Sequence, residues 1–185
     1  MSTIEGPSVR LRPIAPADYA RVFAWYNDPE IVAPFDRFAV DTYDEFVRAV
    51  EGAGSDPNSL APRFAIERRD EPGVIGLVGY YRAHPVLEYV DIWYVVGDRA
   101  ARQHGHAGEA VGLLVGWLFQ TLAVERIGAT CDVENLPSYR LLERLGFRWE
   151  GTLRGALFHH TRWHDVRIYG VTRADWSARD RKASG

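Results

Sequence analysis

The sequence has little of several features that would mark a special class of protein. It has one cysteine in 185 residues, Cys131, so no disulfide forms within the chain, which suits a reducing compartment. The longest apolar run, residues 110–119, is too short to cross a bilayer, which takes about 20 residues. Lys and Arg number 22 against 25 Asp and Glu, so the chain lacks the positive excess that suits nucleic-acid binding. We therefore expect a cytoplasmic protein with no membrane or nucleic-acid partner.

Apolar spacing and turn residues predict an alternation of strands and helices. Strands are expected at residues 8–14, 63–69, 74–82, 87–96, 126–134, 147–158 and 163–172, and helices at 16–26, 42–50, 105–122 and 137–145. No linker or repeat divides the chain. This pattern predicts one α+β domain over residues 1–185, with a core at about 9–176 and a charged tail at 177–185 that frays.

The segment that enters the predicted helix at 105–122 is the most informative part of the chain. Small residues at 105, 107 and 108 leave no side chain in front of the backbone N–H groups. The first N–H groups of a helix have no partner within the helix, and the helix dipole makes that end positive. We call residues 102–108 the phosphate loop, because this pattern favours a phosphate or pyrophosphate, with Arg102 adding a charged contact. The alternative is a simple tight turn.

Further motifs precede and follow the phosphate loop along the sequence. Arg-Leu-Arg-Pro begins at residue 10, Trp-Tyr-Asn-Asp-Pro-Glu at 25, Asn-x-x-Ser at 135 and Leu-Leu-Glu-Arg-Leu-Gly-Phe at 141. Together they resemble the GNAT superfamily of N-acetyltransferases, and in detail the branch of the ribosomal-protein N-terminal (alanine/serine) acetyltransferases. The resemblance implies an α+β fold with a mixed, mostly antiparallel sheet of about seven strands. Helices flank this sheet, which is splayed at its fourth and fifth strands.

The same resemblance implies where acetyl-CoA, the co-substrate, binds. The pyrophosphate lies on the phosphate loop, and the pantetheine arm pairs with the strand at 87–96. Asn135 hydrogen-bonds the pantetheine, with a helix cap as its alternative role. The cofactor-binding residues implied are Tyr94, Val95, Val96, Arg102, Gln103, His104, Gly105, His106, Ala107, Gly108, Asn135 and Ser138.

Acetyl transfer to an amine requires two proton operations. The amine loses a proton before it attacks, and the departing thiolate benefits from a nearby donor. By the resemblance, Ser138 meets the thiol and Tyr139 is the backup. The tyrosine that many other GNAT enzymes use falls at Leu142 in this sequence.

The base is left open by the sequence. Some members of the resembled branch carry a glutamate at a position that is Leu157 here. Asp91, on the fourth strand of the expected fold, is the first candidate, acting directly or through water, and one of the histidines at 159, 160 and 164 is the other. The alternative for Asp91 is an ordinary solvent-facing acid.

Two connecting segments are predicted to line the acceptor side, because connections carry specificity on a rigid scaffold. The substrate-binding residues expected are Phe35, Phe38, Asp91, His160 and Trp163. A homodimer interface is the alternative for the aromatic residues. The histidines at 159, 160 and 164 lack the spacing of a zinc finger or a helical His-x-x-x-His site, so no metal is predicted.

The sequence thus predicts an acetyl-CoA-dependent N-acetyltransferase that works through a ternary complex. No covalent enzyme intermediate is expected, because Cys131 lies in mid-strand and is expected to be buried. The acceptor is a primary amine, either a protein N-terminus or a small amine. The alternative from another class is a non-catalytic acyl-CoA-binding or sensor protein, which Leu142 and Leu157 motivate.

Overall fold

A computed structural model of the chain describes residues 2–32, 42–52, 64–82, 84 and 86–183. Its strands are β1 Ile4–Glu5, β2 Val9–Pro13, β3 Phe64–Arg68, β4 Val74–Arg82, β5 Val90–Val96, β6 Arg126–Asp132, β7 Arg148–His159 and β8 Arg162–Thr172. Its helices are α1 Tyr19–Tyr26, α2 Pro29–Val32, α3 Tyr43–Gly52, α4 His106–Thr121, α5 Leu136–Arg144 and α6 Arg173–Ala183. The sheet order is β1-β2-β3-β4-β5-β6-β8-β7.

The α+β class and the mixed, mostly antiparallel sheet are confirmed. The β5–β6 ladder is parallel and covers three residue pairs, from Val90–Ile127 to Ile92–Ala129. The sheet of the described residues has eight strands, because the short strand β1 pairs with Arg10 and Leu11 of β2. Two residues are too few to show a period of two, so the sequence pattern gives no signal for β1.

The chain divides into two compact units, Met1–Tyr81 with Trp93–Leu114, and Arg82–Ile92 with Val115–Gly185. The single domain expected over residues 1–185 stays a prediction. In the first unit, β2 pairs antiparallel with β3, and β3 with β4. Its core joins helices α1 and α3 to these strands through Tyr19, Val22, Trp25, Phe46, Ala65, Val74 and Leu77.

A buried ion-pair network fastens the start of α1 to β2 and β3 in the first unit. Arg12 donates to Asp18 at 2.6 Å and to Glu67 at 3.3 Å, and Arg10 donates to Glu67 at 2.6 Å. Burial opposes ionisation of both carboxylates, but these hydrogen bonds outweigh it and hold the pKa of Asp18 and of Glu67 below the ordinary value. Paired charges of this kind are the form in which carboxylates are tolerated in a core.

In the second unit, β6 pairs antiparallel with β8 over its whole length, from Arg126–Thr172 to Asp132–Val166. Strand β8 also pairs antiparallel with β7, through a hairpin whose last pair is His159–Arg162. Since directly opposed residues project from the same face, this register decides which side chains of β6, β7 and β8 meet.

The structure corrects the expectation of a frayed tail after Trp176. Helix α6 runs to Ala183, and Trp176 is buried. The helix starts on a reciprocal cap in which the Thr172 hydroxyl accepts from the Asp175 N–H at 3.2 Å and donates to the Asp175 carboxylate at 2.7 Å. This Thr-x-x-Asp spacing is a helix-start signal that the sequence carries.

Across the described ranges, no helix has the length and apolar character that crossing a membrane requires.

Candidate active site

The approach to the phosphate loop is a short 3-10 turn, Arg99–Ala101, in the first unit. Asp98 caps this turn by accepting from the Ala100 N–H at 2.9 Å. The other Asp98 oxygen pairs with Arg21 at 2.6 Å, and the Asp98 N–H donates to the Ile75 carbonyl at 3.0 Å. These contacts tie the chain before the loop to α1 and β4.

The phosphate loop itself turns on two residues in the left-handed region, Gln103 with φ 66° and Gly105 with φ 85°. Glycine adopts this conformation without the penalty of a Cβ. A Cβ at Gly105 or Gly108 would meet nothing within 4 Å among the described residues. Helix α4 begins at His106, and its first intrahelical bond runs from the Glu109 N–H to the Gly105 carbonyl at 3.1 Å. The space beside the α-carbons of Gly105 and Gly108 is therefore uncrowded.

Two side chains hold the ends of the phosphate loop. Arg102 Nε donates to the Val96 carbonyl at 3.0 Å, which links the loop to the end of β5. Glu109 accepts from the N–H groups of Ser8 at 2.8 Å and Val9 at 3.0 Å. Burial opposes ionisation of Glu109, but these bonds and one from the Ser8 hydroxyl lower its pKa. The predicted residues 94–96 and 102–108 thus lie on one connected stretch of the first unit.

In the second unit, Asn135 caps helix α5. Its side-chain oxygen accepts from the Ser138 N–H at 3.2 Å. The sequence left a cap and a pantetheine contact as alternatives for Asn135. The cap uses the amide oxygen, while the same side chain also carries an NH₂ donor.

Ser138 lies against Cys131, with its hydroxyl hydrogen-bonded to the thiol. Burial raises the pKa of Cys131 to about 11, although Ser138 and Arg167 favour the thiolate. The Arg167 guanidinium also stacks on the Tyr139 ring at 4.1 Å from its centroid. Arg167 pairs with Cys131 in the β6–β8 register. We call this side of β6, with Cys131, Ser138, Tyr139 and Arg167, the Cys131 face.

The opposite side of β6 carries Asp132, and we call it the Asp132 face. Asp91 pairs with Gly128 on β6, so by strand alternation Asp91 shares this face with Asp132. A Cβ at residue 128 would collide with the Asp91 carboxylate, and glycine therefore makes room for it. Burial raises the pKa of Asp91, while the charge of Arg126 opposes that rise.

A compact group of titratable side chains lies on the Asp132 face. Asp132 Oδ2 is 2.6 Å from His159 Nε2 and 2.9 Å from His164 Nδ1. Asp132 Oδ1 accepts from the Glu134 N–H at 2.6 Å. The three side chains of Asp132, His159 and His164, which we call the His–Asp cluster, are buried. The three atoms that these side chains could offer to a metal ion, one carboxylate oxygen and two ring nitrogens, lie within 4.8 Å of one another.

The predicted acceptor-side residues fall in different places. His160 is exposed in the β7–β8 turn, where its Nδ1 is 2.7 Å from His159 Nδ1. Trp163 is 60 % exposed and packs edge-on against the Phe158 ring, with the two ring centroids 5.3 Å apart. Trp163 projects from the Cys131 face, because it is an even number of residues from Arg167 on β8. Phe35 and Phe38 lie outside the described residues.

Residues 8–148 match the family model described as "Acetyltransferase (GNAT) domain". The chain belongs to the GNAT acetyltransferase family. The resemblance to the GNAT superfamily is confirmed, and the chain is an acyltransferase, while the narrower resemblance to the ribosomal-protein branch stays a prediction. The individual site residues stay predictions.

Relatives extend the GNAT match over nearly the whole chain. The "Uncharacterized N-acetyltransferase YoaA" of Bacillus subtilis is 26 % identical over 171 residues, which cover 92 % of this chain and 96 % of that protein. The structure of spermidine N-acetyltransferase from Vibrio cholerae, in complex with CoA and spermine, superposes with a TM-score of 0.80 at 19 % identity, over 91 % of this chain and 98 % of that one. The structure of the ribosomal-protein-S5-alanine acetyltransferase from Vibrio fischeri superposes with a TM-score of 0.75 at 21 % identity, over 95 % of this chain and 99 % of that one. At these identities the likeness of the two structures is one of fold.

Sequence reasoning on this GNAT chain misses two residues that the structure brings into the site region, Arg167 and Asp132. Neither belongs to a local motif, because each reaches its partners through strand register rather than through sequence spacing. The signal that the sequence carries is whether two positions on β6 or on β8 are separated by an even or an odd number of residues, since an even separation places them on the same face. That signal becomes readable once the pairing of these two strands is known.

Proposed function

We propose that this chain transfers the acetyl group of acetyl-CoA to a primary amine, by direct attack of the amine within a ternary complex. The observation that carries the proposal is the uncrowded first turn of α4, which lies inside the residues that match the GNAT model. The fold relatives named above act on spermidine and on a ribosomal-protein alanine. Both names denote amine acceptors, which supports an amine acceptor here.

The phosphate loop would hold the pyrophosphate through main-chain N–H groups and the helix dipole. Arg102 would add charge, since its Nε bond to Val96 leaves the guanidinium with further N–H donors. The backbone of Tyr94, Val95 and Val96 would pair with the pantetheine arm. Asn135 would contribute its amide donor, because the cap already uses its oxygen.

Ser138 would supply the proton for the departing thiolate. Its hydroxyl already hydrogen-bonds a sulfur, that of Cys131, which is the chemistry that this role requires. Tyr139 is the backup donor, and the Arg167 guanidinium covers one face of its ring. A covalent acetyl-cysteine is disfavoured, because a thiol with a pKa of about 11 is almost wholly neutral at pH 7.

Asp91 would attract the ammonium form of the acceptor. It is a carboxylate on the Asp132 face and is close enough to Arg126 for the two charges to interact. Attraction of a cation suits a carboxylate at this place, and proton acceptance through water is the second role that the sequence left open for Asp91.

The experiment is thiol release from acetyl-CoA over a panel of amines that includes polyamines and peptides with a free N-terminus, beside calorimetric binding of acetyl-CoA. We expect turnover with at least one amine. Binding without turnover on any acceptor would favour the acyl-CoA sensor instead.

The position of the cofactor is tested by Ala107→Asp, which places a carboxylate in the first turn of α4. We expect acetyl-CoA affinity to fall by about tenfold or more, which corresponds to about 1.4 kcal/mol. The matched control is Ala174→Asp, the same change at an exposed position in the first turn of α6. Equal affinity in both variants would move the pyrophosphate away from the phosphate loop.

A further inference from the structure

We propose that His160 is the general base for the acceptor amine and that His159 and Asp132 form a proton relay behind it. The inference rests on the proposed function, since it names the group that removes the proton from the acceptor. By the resemblance, Leu157 stands where some members of the branch carry a glutamate, and in the hairpin register Leu157 pairs with His164. The His–Asp cluster therefore supplies titratable groups where the family glutamate is missing.

The relay is a chain of two short contacts that leads from the interior to the surface. Asp132 Oδ2 is 2.6 Å from His159 Nε2, and His159 Nδ1 is 2.7 Å from His160 Nδ1. The side chains of Asp132 and His159 are 4 % and 7 % exposed, whereas His160 is exposed. The contacts therefore connect a buried carboxylate to an imidazole that meets solvent.

The direction of these hydrogen bonds fixes the proton positions. An ionised carboxylate only accepts, so His159 must donate to Asp132 from Nε2. Neutral His159 then has a lone pair on Nδ1, and His160 must donate to it from its own Nδ1. Neutral His160 is left with a lone pair on Nε2. This nitrogen is the proton acceptor of the relay.

Two further contacts keep Asp132 ionised, so that it acts as a fixed negative charge. The Glu134 N–H donates to its Oδ1 at 2.6 Å, and His164 Nδ1 lies 2.9 Å from its Oδ2. Glu134 and Arg162 pair with each other at 2.8 Å on the exposed rim, and Glu134 Oε2 also lies 3.8 Å from His164 Nδ1. The charge that faces His159 is thus that of Asp132.

The proton transfer balances without any other reactant. His160 Nε2 takes a proton from the ammonium group, and the freed nitrogen lone pair attacks the thioester carbon. As the C–S bond breaks, Ser138 gives its proton to the departing thiolate, CoA leaves as the thiol, and the second proton lost by the nitrogen replaces the one that Ser138 gave. The Nδ1 proton of His160 passes to His159 Nδ1. His159 then carries both ring protons and one positive charge, next to the negative charge of Asp132. Charge and protons are conserved, and no group is oxidised or reduced.

The turn that presents His160 is held in an uncommon conformation. His160 has φ 48° and Thr161 has φ 64°, as a two-residue type I′ hairpin turn requires. Glycine and asparagine are the usual residues there, and a β-branched threonine in this region is an outlier. The Thr161 hydroxyl donates to the His160 carbonyl at 2.6 Å and helps to fix the turn. Strain of this kind is often kept where it orients a functional group.

A metal centre is the other chemistry that one aspartate and two histidines offer. Two imidazole nitrogens bound to one tetrahedral zinc lie about 3.4 Å apart, and the rings diverge beyond them. In this protein the rings of His159 and His164 are stacked, with centroids 3.6 Å apart and an interplanar angle of 22°. Stacked rings that share one carboxylate oxygen are the geometry of a hydrogen-bonded group. The distances therefore favour a hydrogen-bonded relay over a metal site.

The first test reads the tautomers directly by ¹⁵N NMR of the histidine rings at neutral pH. We expect the proton on Nδ1 of His160, Nε2 of His159 and Nδ1 of His164. A proton on Nε2 of neutral His160 would overturn the relay, whatever the activity of the enzyme. Loss of this pattern on chelation, or a stoichiometric rise in melting temperature with Zn²⁺, would overturn it in favour of a metal site.

The second test is the pH dependence of acetyl transfer in His160→Gln. We expect kcat/KM for the amine to fall about 100-fold near neutral pH, with acetyl-CoA affinity unchanged, and the loss to shrink at alkaline pH, where the amine deprotonates unaided. Added imidazole should restore part of the activity of His160→Ala. The matched control is His84→Gln, an exposed histidine in another turn, which should keep the wild-type profile. A wild-type profile in His160→Gln would overturn the relay, whereas a wild type without turnover on any amine would overturn the proposed function alone.

Discussion

Cys131 and Asp132 are neighbours at the end of β6, yet their surroundings move their pKa values in opposite directions. The two residues are about equally buried, with 8 % and 6 % of their surface exposed. Burial raises the pKa of the Cys131 thiol to about 11. Burial also acts on Asp132, but the Glu134 N–H and His159 donate hydrogen bonds to the carboxylate, His164 Nδ1 lies 2.9 Å from it, and its pKa is lowered.

The two faces differ in the number of hydrogen-bond donors that they offer to a buried anion. Each buried acid is destabilised as an anion by the loss of water. The Asp132 face replaces that water with three N–H groups, whereas the Cys131 face offers Ser138 and the more distant charge of Arg167. The Cys131 face therefore keeps its thiol in the neutral form, whereas the Asp132 face stabilises a buried carboxylate anion.

The largest effect is expected for Ser138→Ala on the Cys131 face. Loss of a donor to the departing thiolate should lower kcat by about 10²- to 10⁴-fold, with acetyl-CoA affinity nearly unchanged, because such a donor acts mainly in the transition state. Steady-state kinetics and calorimetry measure the two quantities. The matched control is Ser177→Ala, an exposed serine in α6. An unchanged kcat in Ser138→Ala would assign the proton to Tyr139 or to water.

The next effect concerns stability on the Asp132 face. Asp132→Asn removes the buried anion that two histidines share, and should cost about 2–4 kcal/mol of unfolding free energy at pH 7. Because the folded pKa is lowered, this contribution is present above the unfolded value of about 3.9. It is lost as the pH falls through the folded pKa, so variant and wild type should converge in acid.

Urea unfolding at several pH values measures this difference. The control is Glu134→Gln, two residues away, whose ion pair with Arg162 is more than half exposed and should contribute less than about 1 kcal/mol. Equal stability of Asp132→Asn and wild type at pH 7 would show that the two faces do not differ as described.

A smaller effect is expected in the reactivity of Cys131. A rise in thiol pKa from 9.0 to about 11 leaves about 100-fold less thiolate near pH 8, so alkylation by iodoacetamide should be slower by that factor in the folded protein than in urea. Ser138→Ala should slow it further, because the serine favours the thiolate. Equal rates in folded and unfolded protein would contradict the raised pKa.

The turn and the helix start at residues 102–108 could be predicted from sequence, because they depend on local residue types. Small residues at 105, 107 and 108 followed by an apolar helical run are enough to place a turn and a helix start. The structure adds the left-handed φ of Gln103 and the bond from Arg102 to Val96. These refine the loop without changing its interpretation.

The His–Asp cluster could not be predicted in the same way, because its members come from three strands. Asp132 ends β6, His159 ends β7 and His164 lies near the start of β8. A one-residue change of register would turn any of these side chains to the other face. The sequence shows three histidines near a turn, and only the pairing of His159 with Arg162 and of Asp132 with Val166 brings the cluster together.

The smallest effect is expected at Trp163, an exposed aromatic residue of the Cys131 face. If it lines the acceptor, Trp163→Ala should raise the acceptor KM by about three- to tenfold, since one lost apolar contact is worth about 1 kcal/mol, and leave the acetyl-CoA KM unchanged. Trp149→Ala is the matched control, because Trp149 is 61 % exposed on β7 and has no predicted substrate role. Steady-state kinetics with both substrates, together with sedimentation, separates the two interpretations of Trp163. A monomeric variant with normal kinetics, compared with a dimeric wild type, would assign Trp163 to a subunit interface instead.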